Sequence, residues 1–221
     1  MTTRRPSGAL VGLIAVGLVA VACSAGGAAS ASAAGGRAST LPEPANGTCP
    51  TSQPESLPAA ETRLVTIDTA KGSIEVTVES DLSPIAVGNF VALASCGFYD
   101  GVVFHRTATL PDGTPFVIQG GDPTGTGTGG PGYQIEDEPV TTPYARGTVA
   151  MARTAEPNSV GSQFFIVLDD AAADVLAAYN TYQIIGTVTD GMDAADAIYE
   201  AADAENPSDP IVMDRVSVAT P

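Results

Sequence analysis

Phe116-Val117-Ile118-Gln119-Gly120-Gly121-Asp122-Pro123 is an apolar triplet and one amide side chain running into paired glycines, an acid and a proline. The triplet suits a short strand, and Gly-Gly-Asp-Pro stops it. The same plan recurs on both sides, in short apolar segments at 102–104, 147–151, 164–168 and 183–188, each cut by glycine. Upstream, Leu64 to Thr69 and Ser73 to Val78 alternate in character around Lys71-Gly72, which reads as a hairpin with Ile74, Val76 and Val78 on one face. Ser83-Pro84 is a helix start, with Ser83 as cap. Val87, Phe90, Val91 and Ala94 follow at helical spacing until Gly97. Further helical pieces are expected at 171–178 and 192–198, and a closing strand at 211–218. Many short strands with glycine corners and few helices predict a mostly β protein whose sheet closes into a barrel, with an early and a late helix over its ends.

Around the opening stretch stand further strings: Phe104-His105-Arg106, the glycine-rich run 125–130, Val149-Ala150-Met151-Ala152, and Gly161-Ser162-Gln163-Phe164-Phe165-Ile166. In this order and spacing they resemble the cyclophilin-type peptidyl-prolyl cis-trans isomerases over residues 64–218, most closely exported actinobacterial members. The resemblance implies a closed eight-stranded antiparallel cyclophilin-like barrel capped by two α-helices, with a catalytic groove outside the barrel. It places the family's arginine at Arg106, the aromatic floor of a proline pocket at Phe116 and Phe165, and the groove glutamines at Gln119 and Gln163. The small groove residue falls at Ala152. Arg106, Gln119 and Phe116 are the expected catalytic residues. Val117, Arg153 and Tyr182 complete the substrate-binding set but depart from the family's common Met, Asn and His, and the tryptophan of some members is absent.

These residue types suit rotation about an X-Pro amide. The barrier is the loss of partial double-bond character in the C–N bond, about 18–20 kcal/mol. A catalyst must therefore hold the twisted amide better than either planar form. A guanidinium offers rigid, permanently charged donors for the nitrogen lone pair that twisting localises. An apolar pocket holds the proline ring while the other side turns. Taken alone, Phe116 and Phe165 are equally ordinary strand aromatics, and Arg153 could simply face solvent. Loss of His at Tyr182 matters little, because no proton is transferred. Lone His105 is expected to be a hydrogen-bonded structural residue, since Ser162 lacks the Gly-x-Ser-x-Gly setting of a hydrolase nucleophile. The 125–130 run lacks the Lys-Ser or Lys-Thr of a phosphate loop. No metal or cofactor is implied. A proline-peptide-binding chaperone or scaffold with weak turnover is the alternative function.

The chain has 9 basic and 25 acidic residues, a formal net charge of −16. That balance argues against nucleic acid as a partner and against adhesion to anionic lipid by charge. Arg4 and Arg5 precede an apolar run from Ala9 to Ala22, which Cys23 closes. The run is about 14 residues, short of the roughly 20 of a spanning helix, and the plan is that of an export signal. Leu18-Val19-Ala20-Val21-Ala22-Cys23 resembles a bacterial lipobox, with Cys23 as the acylated residue. Residues 1–22 are thus expected to be a signal peptide. Residues 23–62 are a lipidated cysteine and a flexible tether poor in large apolar groups, and 63–221 the isomerase domain. The protein is expected at the extracytoplasmic face of the cell membrane, touching it only through the anchor. A monomer acting on proline-containing polypeptides, newly exported ones in particular, is expected. An oxidising compartment permits Cys49 and Cys96 to pair as a disulfide, although two free thiols fit the sequence as well.

Overall fold

The computed structural model of the chain describes residues 48–219; the expected signal peptide, Cys23 and most of the expected tether lie outside the described residues. The chain order is β1 (Thr62–Thr69), β2 (Gly72–Glu79), α1 (Pro84–Ser95), β3 (Arg106–Thr109), β4 (Pro115–Gly120), β5 (Thr148–Met151), β6 (Phe164–Val167), α2 (Ala172–Tyr179), β7 (Ile184–Asp190), α3 (Met192–Glu200) and β8 (Met213–Ala219). All strand pairs are antiparallel, in the sheet order β3-β4-β6-β5-β7-β2-β1-β8.

The period-two reading of the first hairpin holds. Val65, Ile67, Ile74, Val76 and Val78 are fully buried and join one core with residues of α1, β4, β5 and β6. Phe90 of α1 meets Tyr99 and Phe164 inside the curl of the sheet, with ring centroids 5.3 and 5.2 Å away. Gly88 lets α1 lie against residues 55–57, because a Cβ there would stand 2.4 Å from the Glu55 carbonyl oxygen. Gly97, at φ +79°, ends the helix as expected: Phe98 N–H reaches Leu93 O and Gly97 N–H reaches Ala94 O, which closes the last turn.

Three expectations need correction. First, the sheet is open, a curled half-barrel rather than a closed one. β3 and β8 form no ladder; they are joined only through the approach segments, where Gly101 N–H donates to Met213 O, Met213 N–H to Val102 O, and Phe104 N–H to Ile211 O. The physical reason lies at the edge of β3, whose Thr107 N–H donates at 2.7 Å to Glu205 O of the connection before β8. That connection covers the edge that closure would have used. Second, the described residues hold three helices where the resemblance implies two, each at a helical piece that the spacing predicted. Third, Ser83 stands at the cap position of α1 but its buried hydroxyl has no partner. Glu138 caps the helix instead, its two oxygens accepting from Ile85 N–H and Ala86 N–H, each at 2.9 Å. A carboxylate at a helix start also complements the helix dipole.

Cys49 and Cys96 form a disulfide, one of the two states the sequence left open. It ties residues 48–57, which carry no helix or strand, to the C-terminal end of α1.

Candidate active site

Register builds the site. Arg106 of β3 pairs with Gln119 of β4, Gln119 with Phe165 of β6, and Phe165 with Ala150 of β5. Directly paired residues share a face, so these four side chains form one row across the sheet. Their neighbours Ile118, Ile166 and Val149 point the other way, into the main core. The row lies against a second, separate apolar cluster on the outer face, containing Val117, Phe165, Ala150, Val167 and Leu176, with Phe116, Ala152 and Tyr182 partly exposed around it. Val117 and Phe165 are buried, so the floor is dry, while its rim is open.

A chain of polar contacts runs along the rim. Arg106 Nη1 donates to Gln119 Oε1 at 3.2 Å, and Gln119 Nε2 to Gln163 Oε1 at 2.9 Å. Gln163 Nε2 donates in turn to the carbonyls of Gly127 and Gly129, at 3.0 and 2.9 Å. The glycine-rich run is therefore a loop fastened to the site, and its organiser is Asp122. One Asp122 oxygen accepts from Thr124 N–H and hydroxyl, the other from Thr126 N–H and Gly129 N–H. Burial acts to raise the Asp122 pKa, but the N–H groups of Gly129 and Thr124 and the Thr124 hydroxyl overcome it and hold the carboxyl at about 2.

The sign of this shift is definite. A depressed folded pKa contributes stability that is fully present above the unfolded value near 3.9 and is lost as pH falls toward about 2. Asp122→Asn is expected to lower stability at neutral pH by about 1–2 kcal/mol. Its urea midpoint should also fall less steeply than that of the unsubstituted chain between about pH 4 and pH 2. Parallel midpoint curves would remove Asp122 as organiser.

Tyr182 stacks edge-on against Phe165, with ring centroids 5.4 Å apart. Burial and neighbouring Tyr179 raise its pKa, while the charges of Arg106 and Arg153 pull the other way. The Tyr182 backbone is gripped by the Tyr144 hydroxyl, which donates to Tyr182 O at 2.9 Å and accepts from Tyr182 N–H at 3.2 Å. Arg153 is held by its own loop: it pairs with Asp137 at 3.0 Å and donates to Thr154 O and Glu156 O. These contacts turn one donor of each guanidinium nitrogen toward its own loop.

Every residue expected at the groove is thus drawn to one side of β4, β5 and β6, with Arg153 at its edge. Tyr144, Asp122 and Glu205 were missed. Glu205 accepts from Arg106 Nε at 2.8 Å and forms an ion pair with it, Nη2 lying 2.7 Å from the same oxygen. Of the three, Asp122 alone had a local signal, an acid at the head of a threonine and glycine run. His105 is buried as a structural residue would be; the Val103 backbone and the Gln163 side chain approach its ring, but neither ring nitrogen makes a hydrogen bond of ordinary geometry. Burial pushes its pKa down, with Asp122 pulling the other way.

Residues 64–218 match the family model described as cyclophilin type peptidyl-prolyl cis-trans isomerase/CLD. The chain is 37% identical to a probable peptidyl-prolyl cis-trans isomerase A of Mycobacterium leprae, over 70% of this chain and 91% of that protein. It is 47% identical to a peptidyl-prolyl cis-trans isomerase of Synechococcus elongatus over 45% of this chain, spanning only 65% of that protein's length. With a probable peptidyl-prolyl cis-trans isomerase B of Mycobacterium tuberculosis it shares 38% identity over 62% of this chain, spanning 46% of the relative. Among solved structures, a Cryptosporidium parvum cyclophilin type peptidyl-prolyl cis-trans isomerase superimposes with TM-score 0.63 at 31% identity, covering 72% of this chain and 99% of that one. A second crystal structure of the same protein, obtained in the presence of the dipeptide Ala-Pro, gives 0.62.

Proposed function

The chain belongs to the cyclophilin-type peptidyl-prolyl cis-trans isomerase family, and from that premise we propose that it isomerises X-Pro bonds at the outer face of β4, β5 and β6. The observation that carries the reading is the row Arg106–Gln119–Phe165, in which a cation and an apolar floor flank one amide across three neighbouring strands. Phe165, Phe116 and Val117 take the proline ring. Arg106 presents an N–H to the prolyl nitrogen as its lone pair localises, and the low dielectric of the buried floor strengthens that contact. Gln119 and Gln163, already linked to each other and to Arg106, hold the peptide backbone, and Ala152 leaves room for it. No covalent bond forms or breaks, so neither Tyr182 nor His105 is asked to move a proton.

Exchange NMR on a peptide with a single Ala-Pro bond tests this without a coupled protease. Catalytic amounts of the chain should broaden or merge the cis and trans signals. Uncatalysed exchange takes tens to hundreds of seconds. Binding without faster exchange would instead support the proline-peptide-binding module, which the departures at Val117, Arg153 and Tyr182 make the second reading.

The clients we propose are proline-containing segments of newly exported proteins, reached from a lipid anchor at Cys23 through the 24–62 tether. The support is the basic, apolar and cysteine order of the leading segment. Cys23→Ser is expected to move the protein from the membrane fraction to the soluble fraction, and unchanged membrane association would remove the anchor.

A further inference from the structure

We propose that Glu205 is a positioning residue for Arg106, holding the guanidinium in the orientation isomerisation requires before a peptide arrives; this rests on the isomerase reading above. Arg106 Nε donates to Glu205 Oε1 at 2.8 Å and Nη1 to Gln119 Oε1 at 3.2 Å, while Nη2 lies 2.7 Å from the same Glu205 oxygen as the ion-pair contact. Two directed bonds from different nitrogens to different partners set the plane of the group. N–H groups on the terminal nitrogens are left for a ligand.

Exposed ion pairs usually contribute little, because two long side chains must be ordered to make them. Glu205 is 57% exposed, but its backbone is not free. Its carbonyl accepts from Thr107 N–H at 2.7 Å, and Ala204 O accepts from the Thr107 hydroxyl at 3.1 Å. Thr107 is the residue next to Arg106, so carboxylate and guanidinium spring from backbones already clamped together. The connection is braced again by Asp203, which accepts from both Ser208 N–H and its hydroxyl.

The chemistry tolerates the neutralised charge. A twisting amide localises a lone pair but develops no full negative charge, so it needs an aimed donor more than a net cation. Fixing that donor in advance spares the transition-state complex the ordering of a rotamer-rich side chain. Glu205 itself touches no peptide in this role.

A double-mutant cycle on the full chain decides it, with kcat and KM measured on the Ala-Pro peptide for the unsubstituted protein, Glu205→Ala, Arg106→Ala and the double variant. We expect Glu205→Ala to lower kcat about fivefold, to change KM less than about twofold, and to cost nothing further once Arg106 is gone. Glu205→Gln, which keeps an acceptor, should recover part of the loss. The Arg106 Nε–H resonance should exchange faster with water in Glu205→Ala. Unchanged or raised kcat in Glu205→Ala, an equal fold-loss in the Arg106→Ala background, or an unaltered Nε–H exchange rate would overturn the proposal alone. No turnover by the unsubstituted chain would overturn the isomerase reading, and this proposal with it.

Discussion

Arg106→Ala is expected to lower kcat/KM on an X-Pro peptide at least tenfold, which is about 1.4 kcal/mol of transition-state stabilisation. The loss should fall mainly on kcat, because the proline ring is held by Phe165, Phe116 and Val117 rather than by the arginine. The fold should survive. Arg106 lies at the end of an edge strand, and its loss frees Gln119 at one contact while the Gln119–Gln163 and Gln163–loop bonds remain. Arg106→Lys is expected to fall between the two. Lysine keeps the charge but loses the planar fork that reaches Glu205 and Gln119 together. Near-normal turnover in Arg106→Ala, with an unchanged melting temperature, would remove electrostatic stabilisation of the twisted amide from this site.

The second large effect concerns stability. Cys49→Ala with Cys96→Ala opens a cross-link between residues 47 positions apart. Chain entropy assigns such a loop about 4 kcal/mol, and measured losses on removing native disulfides are commonly about 2–5 kcal/mol. For a domain of this size the expected fall in Tm is on the order of 10 °C. A few other contacts hold the 48–57 segment: Leu57 N–H on Pro84 O, Gln53 accepting from Glu136 N–H, and the close fit over Gly88. Releasing Cys49 should therefore expose this segment to proteolysis before the sheet melts. Turnover below the transition should be unaffected, since neither cysteine belongs to the row on the outer face. A reduced sample should behave as the double variant does; equal Tm values with and without reductant would show that the bond contributes nothing.

Strand existence was legible because the cue is local. Which way a side chain faces in a strand depends on its parity alone, so Ile74, Val76 and Val78 could be placed on one face from spacing. The helix stop at Gly97 was equally legible, since a positive φ there asks for glycine. Closure of the sheet was not. It depends on whether β3 and β8 meet, and that was settled by where the 201–212 connection lies. The resemblance to cyclophilins supplied the residues of the groove one by one, but not their partners.

The amino-acid order by itself determined the family, the short-strand β class, the side of each strand that is apolar, and a cation and two amides where a proline groove is expected. Folding alone decided that Glu138 caps α1, that Tyr144 grips Tyr182, and that Glu205 holds Arg106, across separations of 52, 38 and 99 residues. Periodicity and capping rules act within a few residues along the chain. A contact across so many residues leaves no imprint on local spacing and comes into being only when register brings the strands together.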